Sequence, residues 1–166
     1  MSEITAAELC RRAESALNPQ HLGDFWVADV GCAVLAENGS VHTGASVGGY
    51  LGLCAEQSAV SAMVTQGPPR ICKLAAVWRD SDGTLHALPP CGRCREFLRL
   101  MSQSNLQAEV VLGIDRVVRL EDLLPSHGWT SQPLWPSTSR QAPSRQPATN
   151  QRADDFPSSA SRQLGP

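Results

Sequence analysis

Aromatic residues and long apolar runs are both scarce in this sequence. Phe, Trp and Tyr make up 5% of its 166 residues, with a single tyrosine, Tyr50. No run of about 18 apolar residues occurs, and no basic segment followed by a continuous apolar one stands at the N-terminus, so neither membrane insertion nor export is indicated. We therefore expect a cytoplasmic protein without a membrane partner. In that reducing setting the six cysteines are expected to be metal ligands or small buried side chains rather than disulfides.

An excess of positive charge is also missing. Residues 1–132 contain 10 Lys and Arg against 14 Asp and Glu, which gives this part of the chain a net charge of −4. A surface of that sign does not attract a polyanion. We therefore expect no nucleic-acid partner and a small molecule as the ligand.

Apolar residues become scarce toward the C-terminus. Residues 133–166 contain six of the twelve prolines and six serines, but no Val, Ile, Met or Tyr. Such a segment cannot bury enough apolar surface to offset the entropy lost on ordering. We therefore predict one folded domain over residues 1–130 and a disordered Pro/Ser-rich tail over residues 131–166.

Within the folded part, helical and strand patterns alternate. Apolar residues recur at helical spacing after Cys54 and after Cys91, and Asn38-Gly39 is typical of a tight hairpin turn. This alternation predicts an α/β domain with a mixed sheet covered by helices. Phe25, Trp26 and Cys72 are expected in its core. The predicted strands are residues 26–36, 41–47, 71–78, 108–112 and 117–120.

Three cysteines stand at the predicted starts of two helices. Cys54 opens one helix, and Cys91 and Cys94 lie on one face of the first turn of the other. The partial positive charge of a helix start favours a thiolate, the form that binds a metal. Three thiolates suit a zinc site that keeps one position open for water. Glu56 follows Cys54 by two residues, near enough to act as a general acid and base on such a water.

Two other interpretations of the cysteines remain open. Cys91 and Cys94 alone would suit a redox pair, although such a pair needs neither Cys54 nor Glu56. A closed structural zinc site would need a fourth ligand. The spare candidates, none at ligand spacing from another, are Cys32, Cys72, His21 and His127.

The two cysteine elements, in this order and at this separation, resemble those of the small zinc-dependent cytidine deaminases, and most closely the blasticidin S deaminase branch. The resemblance covers residues 1–130. It rests on Cys54-Ala55-Glu56, Pro90-Cys91-Gly92-Arg93-Cys94-Arg95, the hairpin from Val30 to Val47, and Leu123-Leu124-Pro125-Ser126.

This resemblance implies a fold, a cofactor and a reaction. The implied fold is a three-layer α/β/α sandwich with a mixed five-stranded sheet, in a homotetramer or dimer. The implied metal is Zn²⁺ held by Cys54, Cys91 and Cys94, with Glu56 as the catalytic acid and base. The implied reaction is hydrolytic deamination of a cytosine-type nucleoside, either cytidine, deoxycytidine or a nucleoside antibiotic such as blasticidin S. The sequence does not choose among these substrates.

The sequence departs from the family pattern around the substrate. Ser46 and Gly48 stand where the Asn and Glu that hold the ribose are usual. Gln57 replaces an Arg that donates to a zinc-bound sulfur in many members. Other groups must therefore compensate the negative charge of the thiolates. The candidates are Arg93, Arg95 and the two helix ends.

Four residues are expected to contact the substrate. They are Ser46, Tyr50, Ala55 and Trp129. Tyr50 would stack on or hydrogen-bond a base, or else close the edge of the core. Trp129 follows the stretch where relatives place an aromatic residue over the substrate of the same or a neighbouring subunit.

Two rival functions remain open, the first of them suggested by Ser46, Gly48 and Gln57. One is a zinc-stabilised binding module that keeps the deaminase fold without its activity. The other is a polynucleotide-editing deaminase, which would need a basic channel that the net charge of the folded part does not favour.

Overall fold

Helices and strands form where apolar residues recur at helical or strand spacing. The computed structural model describes residues 4–48 and 52–127, which lie within the compact unit Met1–Trp129. The tail expected over residues 131–166, and the expected contacts Tyr50 and Trp129, lie outside the described residues, so the domain boundary stays a prediction. In chain order the described elements are α1 (Ala6–Glu14), β1 (Gln20–Leu22), β2 (Phe25–Ala36), β3 (Val41–Val47), α2 (Ala55–Val64), β4 (Ile71–Arg79), β5 (Leu85–Leu88), α3 (Gly92–Met101), β6 (Glu109–Gly113) and β7 (Arg116–Arg119), with 3-10 turns at Gln103–Gln107 and Leu120–Leu123.

One mixed sheet with five strand positions joins these elements. Gly31 of β2 pairs with Ala45 of β3 on one side and with Val77 of β4 on the other, and β6 and then β7 continue the sheet beyond β4. The β4–β6 pair is parallel and the other neighbours are antiparallel. Two short strands extend this frame, with β1 pairing to one end of β2 and β5 to one end of β4. The predicted mixed sheet and the predicted hairpin of β2 and β3 are confirmed.

Helices cover both faces of the sheet. Successive side chains on a strand point to opposite faces, so Ala33 of β2 packs in a core with Leu9 of α1. Val34, the next residue, packs in a second core with Val60 of α2 and Leu98 of α3. The predicted three-layer α/β/α arrangement is therefore confirmed, with α1 on one face and α2 and α3 together on the other. Across the two described segments, no helix combines the length and apolar character that a membrane crossing requires.

A glycine lets α2 lie directly against β3. A Cβ atom added at Gly44 would lie 2.2 Å from the backbone nitrogen of Ala59 and 2.6 Å from the carbonyl carbon of Ser58. Both atoms belong to the helix backbone, which cannot move aside as a flexible side chain can. This close contact sets the height of α2 over the sheet, and with it the position of Cys54 at the helix start.

Three residues expected in the core are exposed, and the prediction for them was wrong. Phe25 and Trp26 are 48% and 53% exposed. They lie in the part of β2 that pairs with β1, every residue of which is exposed as well. Cys72 is exposed as well. Its neighbours Ile71 and Lys73 pair with the adjacent residues Ala36 and Leu35, so Cys72 is the extra residue of a bulge and its side chain turns outward.

Gly44→Ala tests the contact between α2 and β3. We expect the free energy of unfolding to fall by about 1–3 kcal/mol, because the added methyl group overpacks a site where only backbone can yield. Chemical denaturation measures the change. Gly67→Ala is the matched control, since the nearest atom to its added Cβ would be Asn38 Nδ2 at 3.9 Å, and we expect it to change stability by less than about 1 kcal/mol. Equal effects of the two substitutions would contradict the close contact.

Candidate metal centre and active site

The starts of α2 and α3 bring three cysteines together. Cys54 and Cys91 are the residues that precede the first helical residue of α2 and of α3, both with extended backbone, and neither side chain caps its own helix. Their sulfur atoms are therefore free to face each other. Cys94 lies in the first turn of α3 and is fully buried.

The sulfur atoms of Cys54, Cys91 and Cys94, called here the sulfur cluster, have the spacing of a metal site. All three lie within 4.8 Å of one another, and the sulfurs of Cys54 and Cys91 are 3.8 Å apart. Two sulfurs bonded to a tetrahedral zinc at about 2.3 Å would be separated by about 3.8 Å. The geometry thus fits a zinc ion. It also places Cys54 beside Cys91, which an isolated redox pair of Cys91 and Cys94 would not require.

Within residues 4–48 and 52–127, no further His, Cys, Asp or Glu joins the sulfur cluster. The spare candidates for a fourth ligand have other surroundings. His127 donates from Nδ1 to the Leu124 carbonyl at 2.8 Å, and the ring of His21 lies 4.9 Å from that of Trp26. Three protein ligands are typical of catalytic rather than structural zinc sites, so the described residues favour the open site.

The three thiols cannot all ionise easily in the absence of a cation. Burial and then the nearby Glu56 carboxylate raise the pKa of Cys94 far above its ordinary value, and burial raises the pKa of Cys54. Burial also opposes ionisation of Cys91, but a hydrogen bond from the backbone N–H of Cys94, together with the neighbouring thiols, lowers the pKa of Cys91. A divalent cation would remove this conflict, because it stabilises thiolates directly.

Two members of the sulfur cluster, Cys54 and Cys91, line a cavity of about 470 Å³. Glu56, in the first turn of α2, is 6% exposed and lines this cavity beside Cys54 and Cys91. The expected substrate contacts Ser46 and Ala55 also line it. The volume is in the range of small-molecule sites, so a buried carboxylate and the sulfur cluster face a space large enough for a small organic molecule.

Arg93 is the basic residue that reaches the sulfur cluster. Its Nη2 atom lies 3.7 Å from the sulfur of Cys54 and donates to Gln57 Oε1 at 2.8 Å and to the Gly52 carbonyl at 2.7 Å. Arg95, the other candidate, donates instead to the carbonyls of Pro90 and Leu123 at 2.7 and 2.9 Å. Arg95 therefore ties α3 to the segment that follows β7, whereas Arg93 places its charge beside a sulfur.

The carboxylate of Asp29, near the cavity, was not predicted from the sequence to belong to the site. Ser46 Oγ donates to Asp29 Oδ1 at 2.6 Å, across the β2–β3 pair. The available signal was an aspartate inside an otherwise apolar strand, since a charge at such a position is rarely left without a partner.

Comparison with known proteins gives one consistent result. No protein-family model matches the chain. The cytidine deaminase of Mycobacterium tuberculosis is 40% identical over 99 residues, which are 58% of this chain and 69% of that protein.

Solved structures agree. A crystal structure of cytidine deaminase from M. tuberculosis superposes with a TM-score of 0.54 at 33% identity, covering 74% of this chain and 92% of that one. The M. leprae cytidine deaminase gives a TM-score of 0.59 at 28% identity, with coverage of 74% and 99%. The match covers 69% of the M. tuberculosis protein at 40% identity, and the two proteins share a fold. The chain therefore belongs to the cytidine deaminase family.

Proposed function

We propose that the protein is a zinc-dependent hydrolytic deaminase that converts a cytosine-type nucleoside to the uracil-type product and ammonia. The observation that carries this proposal is the sulfur cluster with Glu56 beside it, both on one cavity. Membership of the cytidine deaminase family supports it. Cytidine, deoxycytidine and a nucleoside antibiotic such as blasticidin S are the candidate substrates, and the cytoplasm is the proposed location.

The residues that would hold the zinc are Cys54, Cys91 and Cys94. When bound, zinc supplies Lewis-acid chemistry, since it lowers the pKa of a coordinated water to about 7. The starts of α2 and α3 add fixed positive partial charge next to the thiolates. The sulfur cluster would therefore bind the zinc ion at the place where the N-termini of the two helices meet.

Glu56 is the proton carrier in this proposal. Of the described residues that line the cavity, it is the only carboxylate. Glu56 takes one proton from the attacking water to ring N3 while the water oxygen forms a bond to C4. It then carries the remaining proton from the C4 hydroxyl to the amino group, so that the C4–N bond breaks and ammonia leaves. One water is consumed, and no oxidant or reductant is needed.

Arg93 would offset part of the thiolate charge. Three thiolates exceed the charge of a divalent ion by one unit, and the Arg93 guanidinium lies 3.7 Å from the Cys54 sulfur. Gln57 holds that guanidinium through its side-chain carbonyl. The pair thus takes the place of the single arginine that many relatives carry after the catalytic glutamate.

The cavity favours a small substrate over a nucleic acid. Among the described lining residues Arg93 is the only basic one, and it is engaged with Gly52, Gln57 and Cys54. A polynucleotide would require a basic groove along its backbone. We therefore propose a nucleoside as the partner.

We also propose that the protein assembles as a homo-oligomer, a tetramer or a dimer. Large apolar side chains are exposed on the single chain near the cavity, among them Trp26, Val47 and Leu53. Val47 and Leu53 line the cavity and pair with each other through their backbones. A second copy would cover this apolar rim.

Glu56→Gln tests the proton carrier. We expect cytidine turnover to fall by at least about 100-fold, because the amide cannot accept the proton of water, while zinc content stays unchanged. An ultraviolet deamination assay and elemental analysis measure the two quantities, and Glu37→Gln, at an exposed ion pair with Arg70, is the control. Near-normal turnover in Glu56→Gln would remove the assigned role. Absence of ammonia release by the wild type from every aminopyrimidine nucleoside tested would favour the inactive binding module.

Cys91→Ala tests the ligand set. We expect the purified variant to lose its zinc, because two sulfurs do not form a stable zinc site. Metal analysis after dialysis measures the loss. Cys72→Ala removes an exposed thiol outside the sulfur cluster and should keep a wild-type zinc content. An unchanged zinc content in Cys91→Ala would exclude this residue as a ligand.

Arg93→Ala tests the charge compensation. We expect zinc to be removed by a chelator at a concentration about 10- to 100-fold lower than for the wild type, the usual range for partners of metal ligands. Arg70→Ala, which removes an exposed guanidinium that pairs with Glu37, should leave chelator sensitivity unchanged. If Arg93→Ala retains zinc as tightly as the wild type, the thiolate charge is balanced by the helix starts alone.

A further inference from the structure

The three members of the sulfur cluster differ in their access to solvent. Cys91 is exposed, Cys54 is partly exposed, and both line the cavity. Cys94 is fully buried and does not belong to the described lining of the cavity. Oxidation of a cysteine requires that the oxidant reach its sulfur. A small oxidant that enters the cavity therefore meets Cys91 and Cys54, and Cys94 is shielded from it.

The two accessible sulfurs are also close to each other. They lie 3.8 Å apart, whereas the sulfurs of a disulfide lie about 2.05 Å apart, so each has to move by about 0.9 Å to form the bond. Rotation of the two side chains can supply this movement. Cys54 and Cys91 precede their helices with extended backbone, and neither side chain caps its helix. No capping hydrogen bond is therefore lost when the sulfurs turn toward each other.

The protein would remain folded after this pair is joined. The helices α2 and α3 already pack in one core, through Val60 and Leu98 among others, so the new bond would connect elements that are in place. The joined residues are 37 positions apart in the chain. A cross-link over such a loop restricts the unfolded chain, which opposes unfolding.

A disulfide and a metal ion compete for the same sulfurs. Thiolate is the form of cysteine that binds a metal, and the sulfurs of a disulfide carry no negative charge. A bond between Cys54 and Cys91 would leave Cys94 as the one thiol of the sulfur cluster, and one sulfur does not form a zinc site. Oxidation of the pair and binding of zinc therefore exclude each other. Transient disulfides that sense oxidants are the kind found in reducing compartments.

We propose that Cys54 and Cys91 form a redox switch, in which a hydroperoxide joins them by a disulfide and thereby empties the zinc site. The inference rests on the proposed function, because it uses the sulfurs of the proposed zinc site. It assigns the disulfide to a pair of residues from two helices and not to the Cys91–Cys94 pair of one helix.

The reaction has two steps and needs one peroxide. The Cys91 sulfur attacks one peroxide oxygen, the O–O bond breaks, and the products are a sulfenic acid on Cys91 and one water. The Cys54 sulfur then attacks the sulfenic sulfur, the S–O bond breaks, and the oxygen leaves as a second water. The two sulfurs lose two electrons and the peroxide gains them. The two thiols provide the two protons, or solvent does so where the sulfurs start as thiolates. A dithiol reductant reverses the reaction by thiol–disulfide exchange.

The test treats the zinc-loaded wild type with hydrogen peroxide. Zinc release, free thiols under denaturing conditions and the disulfide map by mass spectrometry are measured. We expect two of the six thiols to be lost together with the zinc, and a Cys54–Cys91 cross-link within one chain. Dithiothreitol and added zinc should restore both thiols and metal. Cys72→Ser, which removes an exposed thiol outside the sulfur cluster, is the matched control and should form the same cross-link and lose its zinc in the same way.

Two further variants, treated with peroxide without zinc, separate the two possible pairs. Cys94→Ser keeps both accessible sulfurs and should still form the Cys54–Cys91 disulfide. Cys54→Ser should stop at the sulfenic acid of Cys91, which dimedone traps, without a Cys91–Cys94 disulfide. Circular dichroism checks that both variants fold, and the disulfide map of the wild type decides the pairing if either does not.

A wild-type disulfide between Cys91 and Cys94, a cross-link between two chains, or zinc release without any disulfide would overturn the proposal. A Cys54–Cys91 disulfide in a protein that keeps its zinc would do the same. None of these measurements depends on turnover. A wild type that forms the disulfide and releases zinc, but deaminates no aminopyrimidine, would refute the proposed function and support the switch, so the two failures are distinguishable.

Discussion

The meeting of two helix starts at one point is the constraint on which the rest of this structure depends. Cys54 and Cys91 precede α2 and α3, and their sulfurs come within 3.8 Å because both helices pack on the same face of the sheet. The hairpin of β2 and β3 supports α2, and Gly44 lets that helix approach the sheet at backbone distance. The position of the sulfur cluster is therefore a product of the layered core rather than of any local turn.

Electrostatics is the second consequence of this convergence. Three thiols and Glu56 share a small volume, and burial with the Glu56 charge raises the pKa of Cys94. The two helix starts and Arg93 place positive charge beside these groups, and a bound metal ion would supply more. Gln57 and Arg93 together show how the sequence can depart from the family pattern while a guanidinium still lies beside the sulfur of Cys54. The two residues come from different helices, so their relation is visible only in three dimensions.

Another part of the cavity wall contains a different feature. A bulge in β2, with Ala28 in a left-handed conformation, precedes Asp29, which accepts a hydrogen bond from the Ser46 hydroxyl. A strained residue and a carboxylate that accepts a hydrogen bond from Ser46 of the cavity wall lie next to each other, a combination that is common at functional sites. A few residues further along β2, from Val30 to Leu35, the pairing with β4 has no register shift, and residues 31–34 are all buried.

The amino-acid sequence alone determined the alternation of helices and strands and the β2–β3 hairpin at Asn38-Gly39, because periodicity and turn chemistry are local properties. It also indicated that Cys54 joins Cys91 and Cys94, because the two cysteine elements resemble those of the cytidine deaminases, but the packing of α2 and α3 brings the sulfurs together. The sequence led to the wrong prediction that Phe25, Trp26 and Cys72 lie in the core. Hydrophobicity alone does not reveal where helices stop covering the sheet or where a strand bulges. Only the tertiary structure decided which arginine lies beside the sulfurs and that Asp29 bonds to Ser46. Both contacts join side chains from separate elements, and their formation depends on packing distances and strand register that no single stretch of the chain encodes.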